Sequence, residues 1–351
     1  MASIGSGIDS DVRISVTIRS ADGTIALDAP IEAVAAAIAD PAASTWVDVF
    51  DPTPVKNGSG GTTDEGVESL LRDVFGFHPL AIDDALREEH VPKLDDWGKY
   101  LFLVTQSVDF DATVNRIKPH EIDIFLGSNY LITYRSAPIP AIDRARRDVA
   151  LRTEGRFDKG CDHVLYLIMD NLADDFMSVL VSMDDVVDMI QDEVLRGPTR
   201  RTLRRILWIK RAALRLHRSL SPQREVLNRL ARDAYSQIDA RDRVYFRDVY
   251  DHHVRLHDNV ETLRDLITSA LETYLSALSN RTNDVMKILT IVTVMFMPMS
   301  TMFGFFGMNF FAENLALHTR LPANALFWGS LAATIVAPVA IAVWARWKGW
   351  I

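Results

Sequence analysis

The chain is 351 residues long, with 38 basic and 47 acidic side chains, a formal charge of −9 and 48% hydrophobic residues. That length accommodates two modest domains, and that composition excludes collagen-like, disordered and polytopic all-membrane chains. The acid excess leaves no basic surface to displace counterions from phosphate, so nucleic acid is not an expected partner; a single cysteine, Cys161, excludes a disulfide framework and suits a reducing compartment.

Residues 1–11 are polar and small, which predicts no cleaved signal peptide. Residues 12–19 (VRISVTIR) alternate as a half-buried strand does, and 46–50 (WVDVF) offer a second strand. A Gly/Ser/Thr turn or linker follows at 57–63. Helical pattern runs over 64–75 and 79–89, with Pro79 suited to a first helical turn. Residues 100–110 and 120–135, the latter broken by Gly127-Ser128-Asn129, read as sheet strands. Residues 1–160 therefore form an α/β domain.

From 161 to 235 the pattern is helical and charged. Residues 163–195 hold eight acids and no lysine or arginine, Gly197-Pro198 breaks the helix, and residues 194–224 hold ten basic side chains and no acid. This is an αα-hairpin of complementary faces, either solvated and mutually paired or concentrating cations on its carboxylates. Between Pro222 and Pro298 the 75 residues contain neither glycine nor proline, and a break is expected within 236–242. The stalk, 236–285, carries an apolar seam at Val249, His253, Leu256, Val260, Leu263, Ile267, Ala270, Tyr274 and Leu278, stepping by four and three as a helix packed on helices does.

Beyond residue 285 the composition changes. From 286 onward 43 of 66 residues are apolar and five are charged, leaving the first 285 residues at −12 and this tail at +3. Residues 288–312 and 321–345 are free of charge. The strongly apolar part of the first run, ending at Phe306, would make a helix of about 28 Å, close to the ~30 Å hydrocarbon thickness. Both runs can span a bilayer; core helices of a soluble protein are the alternative. Arg281 and Lys287 before the first span, and Arg346 and Lys348 after the second, outnumber Arg320 in the loop between them, which predicts cytoplasmic termini. The spans are expected over 286–309 and 323–346, with an external loop at 310–322 and a tail at 347–351.

A polar or small line also steps by four and three: Glu272, Ser276, Ser279, Asn283, Met286, Thr290, Thr293, Met297, Ser300 and Gly304. Polar groups facing lipid are costly, so its upper members should face other helices or water. One helix supplies one such line, and a water-filled path needs several copies around an axis.

The first span ends in Phe306-Gly307-Met308-Asn309-Phe310, preceded by Met297-Pro298 and by Thr282 to Thr290 (TNDVMKILT). This resembles the CorA family of magnesium channels and transporters, whose mark is Gly-Met-Asn at the outer end of the first of two C-terminal spans. The resemblance implies an α+β cytoplasmic domain, a long helical stalk and two C-terminal transmembrane helices, assembled as a homopentameric funnel in the plasma (inner) membrane. It implies that Gly307, Met308 and Asn309 ring the external mouth, where neutral amide oxygens can accept hydrogen bonds from the water around Mg²⁺. Asn283, Met286, Leu289, Thr290, Thr293, Met297, Ser300 and Gly304 would line or gate the pore. Asp83, Asp84, Asp170, Asp248 and Glu272 would bind regulatory Mg²⁺ between subunits, closing the pore when occupied; as single residues Asp84 and Asp170 also read as ordinary surface carboxylates.

Three departures from the family stand out: phenylalanine rather than tyrosine before Gly307, glutamate rather than aspartate at 272, and a thin C-terminal basic collar. A zinc transporter of the same fold is the nearest alternative, against which Met308 weighs; Co²⁺ and Ni²⁺ would pass as hydrated ions of similar size. His252, His253 and His257 could hold zinc, or sit in the seam and in solvent. A membrane-anchored cation sensor or signalling protein is the other alternative. No nucleotide-binding, zincin or nucleophile-elbow motif occurs, so no enzyme is expected.

Overall fold

The computed structural model describes residues 12–52, 65–87, 89–113, 116–150, 159–308 and 323–348. The chain divides into two units, one of Met1–Glu193 with Arg200–Ala270, the other of Val194–Thr199 with Leu271–Ile351. The predicted turn at 57–63, Asn309 and the loop at 310–322 lie outside the described residues.

Period-two alternation builds one seven-stranded sheet in the first unit. Its strands are β1 (Arg13–Arg19), β2 (Ile25–Ala26), β3 (Ser44–Phe50), β4 (Lys93–Asp96), β5 (Leu101–Asp111), β6 (Arg116–Leu126) and β7 (Tyr130–Arg135), in the order β2-β1-β3-β7-β6-β5-β4. The β3–β7 pair is parallel and the other neighbours are antiparallel. On β5, Leu101 and Leu103 enter one core while Phe102 and Val104 enter the other, so this strand reads as a continuous apolar run.

Helices cover both faces. On one side α1 (Glu32–Ala39), α2 (Glu65–Ser69), which continues as a π-helical turn at Leu70–Val74, and α3 (Pro79–Arg87) pack on Val47, Phe102, Phe125 and Ile132. Phe77 stacks on Phe125 with centroids 4.3 Å apart, fixing the entry to α3. The first turn of α3 is capped by His78, whose Nδ1 accepts the Leu80 N–H at 3.2 Å. On the other side lie α4 (Pro140–Ala150), α5 (Cys161–Arg196), α6 (Arg200–Arg232) and the start of α7 (Arg243–Gly307), around Trp46, Leu103, Ile124 and Leu131. The expected hairpin break falls at Gly197, whose φ of +148° suits glycine. The gap between α6 and α7 contains the predicted break.

Charge enters this core as a buried ion pair between β3 and β7. Asp48 accepts hydrogen bonds from Thr133 Oγ1 at 2.7 Å and from Arg135 at 2.9 Å, and both members of the ion pair are under one-tenth exposed. The seam on α7 is buried from Val249 to Tyr274, but Leu278 is 42% exposed, so the seam ends one turn earlier than its spacing suggested.

In the second unit the remainder of α7 is joined by α8 (Ala323–Trp347). Just 6% of the most apolar window of α7, and 11% of that of α8, is buried within the chain. A soluble core would bury these helices, so their apolar surface needs lipid or further copies of the chain to cover it.

Candidate ion pathway and cation-sensing residues

At ~100° per residue, Asn283, Met286, Leu289, Thr290, Thr293, Met297, Ser300 and Gly304 fall within about 120° of arc on α7. All are exposed. The covered side of the same helix is marked by Ile291, which is buried, and by Met295, Met299 and Met302, which are half-buried. That side lies roughly 160° away from the polar stripe. It faces α8: Thr334, itself buried, brings its hydroxyl to 3.4 Å from Met302 Sδ. The second apolar helix thus packs against the back of the first and leaves the stripe free. On α8, Ile335, Val336, Val339 and Val343 are exposed and wholly apolar, as a lipid-facing surface is.

The stripe's threonines have their protons committed. Thr290 Oγ1 donates to the Met286 carbonyl and Thr293 Oγ1 to the Leu289 carbonyl, each at 2.8 Å. A hydroxyl that donates to its own helix turns lone pairs outward. The water around a cation points its hydrogens outward, so acceptors are what such a surface needs. Gly307 closes α7 and Met308 follows it, half exposed.

Three of the candidate sensing acids, Asp83, Asp84 and Asp170, have neighbours that the sequence did not reveal. Asp83 and Asp84 sit side by side on α3. Arg87 holds Asp83 one turn on, and also reaches Glu68 at 2.8 Å. Lys93 Nζ, on the edge strand β4, lies 2.5 Å from Asp84 Oδ2 and 3.3 Å from Asp95. Burial works against the Lys93 ammonium, but Asp84 and Asp95 outweigh it and raise its pKa above the ordinary lysine value. Asp170 on α5 stands 3.6 Å from His252 Nδ1 of α7, and the exposed Asp248 lies one turn before His252 on the same helix face. Glu272 is exposed. Asp83 and Asp84 are already paired, so an ion that takes the same carboxylate oxygens must displace Arg87 or Lys93.

The three histidines of α7 go to different places. His252 faces Asp170, whereas His253, in the stalk, is buried with its Nδ1 3.2 Å from the Val249 carbonyl. Burial pushes the His253 pKa down to about 4, so the ring is neutral at physiological pH. His257 lies beside His217 of α6, the ring centroids 4.9 Å apart and the planes tilted by 42°.

The sequence model described as CorA-like Mg2+ transporter protein matches residues 61–346. The chain belongs to this CorA-like family. It is 31% identical over 315 residues to the cobalt/magnesium transport protein CorA of Thermotoga maritima, spanning 89% of this chain and 85% of that protein. The complete structure of the CorA magnesium transporter from Methanocaldococcus jannaschii superposes with a TM-score of 0.76 at 24% identity, covering 96% of this chain and 98% of that one. The full-length CmaX structure matches with a TM-score of 0.71 at 22% identity, covering 95% and 99%.

Membership in the CorA-like family makes the chain a membrane transporter of divalent cations and not an enzyme. The full-length matches extend through the sheet domain, α7 and both apolar helices, which is the expected fold. Within that CorA-like frame the sequence reading missed Arg87 and Lys93, and had His252 as a zinc ligand or a solvated side chain rather than as the neighbour of Asp170. Each reaches its acid from a separate position, and no local signal marks Lys93, because KLDD becomes a strand by pairing along β5.

Proposed function

We propose that this CorA-family transporter admits Mg²⁺ by electrodiffusion through a homopentamer in the plasma membrane, with both termini cytoplasmic. The observation that carries this reading is the arrangement of α7 and α8: the stripe from Asn283 to Gly304 lies opposite the side that α8 covers, so symmetric copies can place it on a common axis. Asn309, with Gly307 and Met308, selects hydrated Mg²⁺ at the outer mouth, and Met286, Leu289 and Met297 form constrictions that close by dewetting. The membrane potential supplies the work, about 2.3 kcal/mol per charge per 100 mV and about twice that for a divalent ion. Co²⁺ and Ni²⁺ follow the same route.

Cytoplasmic Mg²⁺ closes the pore. Asp83 and Asp84 of one subunit, with Asp170, Asp248 and Glu272, bind regulatory Mg²⁺ between subunits; the cation exchanges places with Lys93 and Arg87, and its loss frees the subunits to move apart. Ion flux into liposomes containing the purified protein tests the pathway. Asn309→Ala is expected to lower Mg²⁺ flux and relax selectivity, and unaltered flux and selectivity would overturn the selective ring. A monomeric mass in mild detergent would overturn the pore itself.

A further inference from the structure

One cluster of metal-binding side chains plays no part in the proposed pathway or its gate. His217 on α6 meets His257 and Glu261 on α7, and one ligand atom from each lies within 4.8 Å of the other two. His217 Nε2 stands 3.0 Å from Glu261 Oε1. His257 and Glu261 are four apart on one helix face, and the buried Nδ1 of His257 has no hydrogen-bond partner among the described residues. Arg264 Nη1 holds the two Glu261 oxygens at 2.6 and 2.9 Å, fixing the carboxylate in place. All three candidate ligands are half-buried, so an ion has access from solvent while the ring faces stay packed.

We propose that His217, His257 and Glu261 form a site for a divalent transition ion of the zinc, cobalt or nickel type, clipping α6 to α7 and separate from the acids that read magnesium. Two imidazoles and one carboxylate are the donor set of open, three-ligand zinc sites, with water in the fourth position. Imidazole suits these borderline metals, whereas Mg²⁺ prefers oxygen ligands and keeps most of its water, so a site with one carboxylate and two nitrogens discriminates against it. Bonds of about 2.0–2.1 Å place tetrahedral ligands about 3.4 Å apart, so donors up to 4.8 Å apart close by at most about 1.4 Å while His217 Nε2 and Glu261 Oε1, at 3.0 Å, open slightly, shifts within reach of side-chain torsions.

The full-length protein, purified in mild detergent and stripped of metal, is titrated with Zn²⁺ by calorimetry in excess Mg²⁺, with Co²⁺ as a spectroscopic probe. One saturable zinc site per chain is expected, unaffected by the Mg²⁺, with Co²⁺ showing tetrahedral ligand-field bands. His217→Ala and His257→Ala should each weaken Zn²⁺ binding at least about tenfold and abolish the bands, while His252→Ala leaves both intact. Zn²⁺ should also raise the Tm of the wild type and not that of Glu261→Gln, which preserves side-chain volume and keeps the test valid should an alanine variant fold poorly. No saturable zinc site, Mg²⁺ displacing the zinc, or a zinc site that survives all three substitutions would overturn the proposal.

Discussion

Lys93→Met isolates the competition at the proposed gate. In the structure Lys93 Nζ is 2.5 Å from Asp84, with each side chain 28% exposed. An ion that takes the same Asp84 oxygen must break this pair, so removing the ammonium, which also lies over the Phe102 ring 5.4 Å from its centroid, while keeping an aliphatic side chain should strengthen Mg²⁺ binding. Fully exposed pairs contribute about 0.2–1 kcal/mol, and burial of this degree places the pair near the upper end, about 1 kcal/mol. That corresponds to about a fivefold change in affinity. The assay is Mg²⁺ flux into liposomes at graded internal Mg²⁺, with Lys93→Arg as a control that retains the charge. Half-inhibition should move to roughly fivefold lower Mg²⁺ in Lys93→Met and stay near the wild-type value in Lys93→Arg. A half-inhibiting concentration that is unchanged or higher in Lys93→Met would refute the competition, and with it the role of Asp84 as an inhibitory ligand.

Three further outcomes follow from the geometry. Asp48→Ala leaves Arg135 buried with Asp143 as its remaining carboxylate partner, and should cost about 3 kcal/mol in denaturant unfolding of the purified protein; a loss below about 1 kcal/mol would show that the pair is solvated. Thr293→Val removes an acceptor from the stripe at constant volume, and should lower Mg²⁺ flux several-fold with Tm unchanged; wild-type flux would remove Thr293 from the pathway. The Asp242 carboxyl is pushed up to about 6 by burial, then by Asp162 and Asp239. Because the folded state holds this proton more tightly, its contribution to stability is full below about pH 4 and is lost as pH rises through about 6. Asp242→Asn should therefore gain in Tm over the wild type between pH 5 and 8, and a difference independent of pH would refute the assignment.

What the sequence disclosed depended on how far apart the informative residues lie. The second charge-free run, the Gly197-Pro198 break and the alternation in 12–19 are local patterns, and they reappear as α8, as the gap between α5 and α6 and as β1, while the first charge-free run supplies the last turns of the much longer α7. The short strand β4 left no such mark, because KLDD has one buried side chain and becomes a strand by pairing along β5. The alanine-rich α1 likewise has too few polar residues to display a helical face. At the sites the limit is sharper. Asp84 and Lys93 meet across a helix-to-strand connection, and His217 meets His257 across two helices forty positions apart in the chain. Of the two readings for His252, His253 and His257, a zinc set or seam and solvent, His253 is in the seam as its spacing placed it, and His252 lies beside Asp170 rather than in open solvent.

The committed hydroxyls of Thr290 and Thr293 bear on how the pathway recognises the sign of a charge. From Met286 to Gly304 the stripe contains no carboxylate and no other titratable side chain. Its preference for cations would rest on neutral oxygen dipoles held outward by the helix itself. A dipole surface of this kind has no proton to lose or gain and no net charge for salt to screen. Cation-over-anion permeability through the proposed pathway should therefore stay level across pH and ionic strength, even where the proposed carboxylate-based gate does not.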